Sequence, residues 1–314
     1  MEKGLTAKLV NKKYLSFLQY IRQRYVLYLF LLPTIVYVFI FSYVPMYGVQ
    51  IAFKDYKAIL GFMGSPWVGL KHFNRFFSMP DFWPILQNTL SISFYTLVVG
   101  FPAPIILALM LNYVVRAKLK KTIQTVTYAP FFISTVVVMG MVTLLLSPNY
   151  GIVNSFLKML GKQPVFFLAQ ARYFKTIYVI IDVWRHVGWG SIIYIAALSG
   201  VSSELHEAAI IEGATKLQRI WHIDLPSIQP TIVILLILRL GSIMNVGFEA
   251  VFLLQNPMNL QSSQIIATYV YQAGLLNVQY GYAAAVGLFN NVINLVMLLM
   301  ANWVSRRLTE SSLF

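Results

Sequence analysis

Four ionisable residues stand inside otherwise apolar stretches: Asp182 and Arg185, then Arg239 and Glu249. A charge in a membrane helix costs roughly 2.5–3.5 kcal/mol on insertion scales, so such residues face a partner, a cavity or a solute path. Asp182 and Arg185 are three apart and share a helical face. Two readings of them stand: contacts to a polar solute, or a structural ion pair that braces a bundle. Trp184, Trp189, Asn245, Asn290, Asn291 and Asn294 accompany them. Carboxylates and amides bond hydroxyl groups and aromatic faces cover C–H surfaces, which suits this set to a carbohydrate. Aromatic residues in spans also serve as packing or interface anchors. The positions of Arg185 and Arg239 would further suit an acidic sugar.

A second concentration of polar residues, SSELHEAAIIEGATKLQRIWHIDLP over 202–226, separates two apolar runs. Ser203 is a suitable N-cap, Glu204 lies in the first turn where a carboxylate favours the helix dipole, and Gly213 can end the helix in a left-handed conformation. A second short helix over 214–222, beginning at Ala214, is expected to lead through Leu225 to Pro226, which cannot continue a helix with its N–H bond intact. Ala208 and Ala209 are small enough to let another protein approach, and Glu207 offers it a charge. Two short helices hinged at Gly213 form an elbow that can transmit rigid-body motion. The plainer alternative is an amphipathic loop with a common helix-stop glycine.

Other chemistries find no support in the sequence. His72, His186, His206 and His222 are scattered without a zinc-binding HExxH pair, and no GxSxG serine elbow is present. His206 and His222 are expected to serve the elbow. The absence of cysteine excludes disulfides and thiolate metal sites. A phosphate-cradling loop needs GxxxxGK[ST], and Gly161-Lys162 is followed by Gln163 and lacks the earlier glycine. No enzyme activity, metal or cofactor is therefore expected of this chain, and any ATP that drives it must be bound by a partner.

The elements that would position these residues are membrane helices. Hydrophobic residues make up 58% of the 314-residue chain and charged residues 11%, far from the composition of a soluble globular domain. An all-α polytopic membrane protein follows. Six stretches are apolar over the length of about 20 residues that a span requires: 25–44, 88–115, 123–146, 174–198, 228–253 and 280–303. The net charge of +14 belongs mostly to the flanks of these stretches, so orientation in the bilayer explains it and nucleic acid does not. With the N-terminus inside, the inner segments hold fourteen Lys and Arg, including Lys3, Lys8, Lys12, Lys13, Arg22 and Arg24. The outer segments hold eight.

The expected organisation is thus a basic cytoplasmic segment over 1–24, a six-helix domain over 25–304 with the 202–226 loop in the cytoplasm, and a short cytoplasmic tail over 305–314. The first apolar run continues too far, with no small-residue cleavage site, to read as a removed signal peptide. In the outer segment 45–87, Phe73, Phe76 and Phe77 share a helical face beside Lys71 and Arg75, as in a helix lying on the membrane surface or a docking surface for an external partner. The second outer segment, 254–279, is uncharged and polar enough to dip back towards the membrane under cover of protein.

The joint spacing of the 202–226 stretch resembles the EAA loop of permease subunits of binding-protein-dependent ABC importers: Glu207-Ala208-Ala209, Gly213 six residues after the glutamate, then Ile223 and Leu225-Pro226. The resemblance extends over nearly the whole chain. WVGLKHFNRFF from Trp67, YGIVNSFL from Tyr150, WRHVGWGSIIYIAALSGV from Trp184, ATYVYQAGL from Ala267 and AVGLFNNVINL from Ala285 are similar to the permeases for complex sugars and polysaccharide fragments. The chain departs from that pattern at Glu212, where Asp is usual, and at Gln264, where an acidic residue precedes the TYVY stretch.

The resemblance implies the type I permease fold with a cytoplasmic coupling helix containing Glu207 and Gly213. It also implies a second homologous permease, two ATPase subunits holding ATP and Mg, and an extracytoplasmic solute-binding protein. The uneven spread of polar residues favours a heterodimer. Rival readings are an ABC permease for a non-sugar solute and an ion-driven secondary transporter. The latter would work alone and without ATP, and few intramembrane carboxylates suit a proton relay.

Overall fold

The computed structural model describes residues 22–308, and within them the chain is helical, apart from connecting segments and an isolated bridge between Lys54 and Trp67. The expected basic segment 1–24 and the tail 305–314 therefore lie outside the described residues except at 22–24 and 305–308. In chain order, α1 is Tyr25–Phe53, apolar on every side as a lipid-facing helix should be. None of its apolar stretch is buried against the chain, and it widens into a π turn at Phe39–Tyr43 before tightening to a 3-10 helix at Val44–Phe53. Helix α2 is Lys71–Ser78, α3 Phe82–Asn112, α4 Ala117–Phe132, α5 Thr135–Leu145 and α6 Ile152–Met159. Then follow α7 Ala171–Ser199, α8 Ser203–Ile211, α9 Lys216–Leu240, α10 Phe248–Leu254, α11 Ile266–Tyr271 and α12 Tyr280–Leu308.

Six spans are expected, and the described residues contain four helices long and apolar enough to cross a membrane: α1, α3, α9 and α12. The bent pair α4 and α5 makes five if it is one broken span. The remaining stretch, 174–198, falls in α7. Its 29 residues rise about 43 Å, long enough to cross, but Asp182, Arg185 and His186 at its middle make it too polar to count on composition.

Several boundaries need correction. The expected span 123–146 is instead two helices bent by 100°. Pro130 lacks the N–H a continuing helix would use, and Ser134 is extended and caps the new helix, its hydroxyl accepting from Val137 N at 3.4 Å. The expected span 228–253 begins earlier, at Lys216, and stops at Leu240; residues 241–247 form a break before α10. Pro226 does not stop a helix. It occupies the first turn of the regular part of α9, just after the wide turn Ile220–Asp224, a position where its missing N–H is tolerated. The separate second helix expected over 214–222 is therefore the beginning of a continuous α9.

Three clusters hold the bundle. Ile92, Val138, Phe174, Tyr178 and Val251 join α3, α5, α7 and α10. Ile105, Ala108, Leu109, Tyr194, Leu198 and Ile228 join α3, α7 and α9. Phe76, Phe82, Met244, Ile266, Tyr282 and Val286 join α2, α3 and α11 to α12 and the break. Lipid is as apolar as these side chains, so close packing rather than water exclusion stabilises such contacts within the bilayer. At Gly188 a Cβ would lie 2.1 Å from the Thr127 carbonyl oxygen, which shows how closely α7 approaches α4.

The outer helix α2 is not simply a surface anchor: Phe76 is buried, edge-on to Phe82 and Phe289, while Phe77 remains exposed. Segment 254–279 is tucked into the protein, with Ile265, Ile266, Thr268 and Ala273 buried.

Candidate functional site: a polar break in the bundle and a cytoplasmic elbow

The break at 241–247 is pinned from both sides. Asn294 of α12 accepts the Met244 N–H at 2.9 Å and donates to Asn245 Oδ1 at 3.0 Å; Asn290 donates to the same oxygen at 3.1 Å. From α7, the Tyr178 hydroxyl accepts the Gly247 N–H at 3.0 Å. Side chains thus replace the backbone partners that an uninterrupted helix would supply, as buried N–H groups require.

Beside the break lies a cavity of about 170 Å³ lined by Ser93 and Thr96 of α3, Tyr178 and Asp182 of α7, and Arg239, Ser242 and Asn245. The Ser93 and Thr96 hydroxyls are buried and have no hydrogen-bond partner, so they stand ready for a polar guest. A second cavity of about 280 Å³ shares Asp182 and Arg239 and adds His186 and Tyr194. A third of about 360 Å³ shares Asn245 and adds Asn290, Asn291 and Phe248. The shared residues place the three cavities side by side along the break, the first of them the most polar.

The structure brings Asp182, Arg239 and Asn245 together in the first cavity, and Asn290 and Asn291 join Asn245 in the third. The other five expected residues have different positions. Arg185 does not pair with Asp182: it donates to the Ile133 carbonyl at 3.2 Å and to Thr135 Oγ1 at 3.3 Å, bracing the bend between α4 and α5. Asp182 pairs instead with His186, one turn further on, at 3.2 Å. Trp189 stacks on Phe131 with centroids 4.6 Å apart, and Trp184 is half exposed; neither lines these cavities. Glu249 is exposed in the first turn of α10, where its charge favours the helix dipole. Asn294 is buried and serves as a brace.

Sequence reasoning missed Ser93, Thr96, Tyr178, His186 and Ser242. His186 was legible as the residue four beyond Asp182. Nothing in the sequence ties hydroxyls of α3 to a carboxylate of α7.

The elbow forms with one shift of cap. Ser202, not Ser203, is the N-cap of α8, its hydroxyl accepting from Glu204 N at 3.2 Å; Ser203 is the first helical residue because its neighbour is already extended. Gly213 has φ +80°, and the Ala214 N–H reaches the Ala209 carbonyl at 2.8 Å while the Gly213 N–H reaches Ile210 at 3.0 Å. These two bonds are the Schellman closure that a left-handed glycine allows. Thr215 and Gln218 then cap the start of α9 reciprocally.

Glu204, Glu207, Ala208 and Pro226 are exposed, and Ala209, Ala214 and Leu225 are partly covered. Leu205, Ile210, Ile211, Leu217 and Trp221 are exposed apolar side chains of the same elbow, with Ile211 at 87%. Beneath it Asp224 is fully buried and accepts from the Tyr113 hydroxyl at 2.7 Å. Burial first, then that bond, pushes the Tyr113 hydroxyl up to about 12, so it remains a donor at working pH.

Residues 100–310 match the family described as binding-protein-dependent transport system inner membrane component. Protein LplB of Bacillus subtilis is 43% identical over 288 residues, covering 92% of this chain and 91% of that protein. The polygalacturonan/rhamnogalacturonan transport system permease protein YteP of Bacillus subtilis is 42% identical over 312 residues, covering 99% and 94%. Among solved structures, a chain of a bacterial ABC transporter involved in the import of the acidic polysaccharide alginate matches with TM-score 0.86 and 43% identity, over 93% of this chain and 98% of that one. A chain of a bacterial alginate ABC transporter in complex with an alginate pentasaccharide-bound periplasmic protein matches with TM-score 0.87 and 42% identity, over 94% and 99%.

Proposed function

The chain belongs to the family of inner membrane components of binding-protein-dependent transport systems, and on that premise we propose that it is the permease subunit of an ABC importer for an acidic oligosaccharide. The observation that carries the reading is the cavity in which Asp182, Arg239 and Asn245 meet unpartnered hydroxyls. Carboxylate, amide and hydroxyl groups suit sugar hydroxyls, and the Arg239 guanidinium suits a uronate carboxylate. Relatives whose names carry polygalacturonan and alginate support the acidic class. Solute would pass beside the helix break near the bilayer midplane, where broken helices of transporters place their sites.

In this reading both termini and the 202–226 elbow face the cytoplasm of a cell bounded by the inner membrane. Two ATPase subunits hold ATP and Mg and dock on α8 through Glu204, Glu207, Ala208, Ala209 and the exposed Ile211, with Gly213, Ala214, Leu225 and Pro226 carrying motion into α9. A second, homologous but distinct permease completes the membrane part, and an external binding protein delivers the solute. The experiment is to reconstitute this chain with those partners and measure ATP hydrolysis as the binding protein is loaded with acidic sugars, neutral sugars, amino acids or phosphate. Stimulation by acidic oligosaccharides is expected. Stimulation by non-carbohydrates alone would defeat the assignment, and uptake by the chain alone on an ion gradient would make it a secondary transporter.

A further inference from the structure

The elbow contains a carboxylate that lines none of the three cavities beside the break. Asp224 closes the wide turn of α9 and is 0% exposed. Its two oxygens are treated unequally. Oδ2 accepts the hydroxyl of Tyr113, which follows the last residue of α3, at 2.7 Å. Oδ1 faces His206 Nε2 at 3.4 Å but has no hydrogen bond. His206 belongs to α8, immediately before Glu207. Arg219 also stands against this cluster: its guanidinium lies 5.4 Å from the Tyr113 ring centroid, and its Nε is buried without a partner.

A buried carboxylate oxygen without a donor is costly, and the His206 ring nitrogen stands 3.4 Å from it. The three elements joined here differ in their surroundings. Helix α8 is largely exposed, whereas α3 and α9 are held in one apolar cluster with α7, through Ala108, Leu109, Tyr194, Leu198 and Ile228. A small movement of α8 towards Asp224 would turn the 3.4 Å approach into a hydrogen bond, and the bond to Tyr113 would carry the same movement to α3.

We propose that Asp224 is the positioning residue of the coupling step, joining the docking helix through His206 to α3 and α9, so that displacement of α8 by an ATPase moves both helices together. The inference rests on the reading of α8 as the docking helix. An Asp224 that merely braced the fold would affect how much complex assembles, and would leave unchanged how many solute molecules each ATP moves.

The test uses the complete importer in proteoliposomes, with solute uptake and ATP hydrolysis measured on the same sample for the wild type, D224N, H206Q, Y113F and the D224N/H206Q double variant. The expected result is a solute-to-ATP ratio lowered about tenfold in D224N and in H206Q, the scale of one charge-assisted hydrogen bond, with the double variant no worse than D224N alone. A ratio equal to that of the wild type in D224N and H206Q, whatever the absolute rates, overturns the proposal. Should D224N fail to assemble, the ratio of H206Q, whose side chain is 20% exposed, decides in the same way. A wild-type complex without ATP-dependent uptake would instead remove the permease reading, a result distinct from an unaffected variant beside a coupled wild type.

Discussion

The carboxamide of Asn294 takes the place of a missing turn of helix at Met244: it accepts the backbone N–H that the break leaves free, at 2.9 Å, and its own nitrogen reaches Asn245 at 3.0 Å. Both Asn294 and Met244 are buried, so no water replaces the lost partner. Asn294→Leu should therefore destabilise the protein by about 1–3 kcal/mol, the cost of an unsatisfied buried group. Asn294→Asp, which keeps the acceptor, should restore acceptance from Met244 while losing donation to Asn245. Thermal unfolding of the detergent-solubilised protein checks the order: wild type highest, and both variants lower.

Asp182 and Arg239 each line two of the adjoining cavities, which makes them the residues on which the solute assignment depends most. Arg239→Gln should raise the KM for uptake of an acidic oligosaccharide about tenfold or more, the loss of one charge-assisted contact. A neutral oligosaccharide of equal length should be affected less. Asp182→Asn should reduce uptake of both, because it alters hydroxyl recognition and releases His186. Equal KM shifts for acidic and neutral solutes in Arg239→Gln would take carboxylate recognition away from this residue.

What was legible in the sequence follows from the range of the signals. The elbow is local: a cap, a glycine and a second cap lie within a few residues, and the sequence-level reading missed only one position at the N-cap and the continuity of α9 past Pro226. That continuity depends on the wide turn Ile220–Asp224, for which no residue pattern is diagnostic. The intramembrane charges were visible as exceptions in apolar runs, but their partners were not. Arg185 bonds a carbonyl at Ile133, 52 residues away, in a bend that hydropathy alone reads as one straight span. The Ser93 and Thr96 hydroxyls look like ordinary helix residues until α7 and the break are set beside them.

Gly213 holds φ at +80°, where an L side chain costs roughly 1–2 kcal/mol, and both closing bonds of α8 depend on that geometry. Glu207→Ala combined with Gly213→Pro should lower uptake and ATPase recruitment while the protein still inserts in the membrane. Co-purification of the ATPase with the tagged chain measures recruitment, and alkali-resistant membrane association measures insertion. Unchanged coupling in reconstituted vesicles would separate the elbow from the ATPase.

Gly188 is the point at which α7 and α4 touch backbone to backbone. A Cβ there would lie 2.1 Å from the Thr127 oxygen and 2.4 Å from its carbonyl carbon, and neither atom can rotate away. Gly188→Ala must therefore push the two helices apart, with an overpacking cost of about 1–3 kcal/mol. The displacement also reaches function, because the bend after α4 is tied to α7 by Arg185 through Ile133 and Thr135. Gly140→Ala in α5, where a Cβ meets nothing within 4 Å, supplies the control and should be neutral or slightly stabilising. The expected result is a lowered thermal midpoint and reduced yield of monodisperse protein for Gly188→Ala alone. Equal behaviour of the two variants would mean that α7 and α4 can separate without cost, and that the bend is not held by their contact.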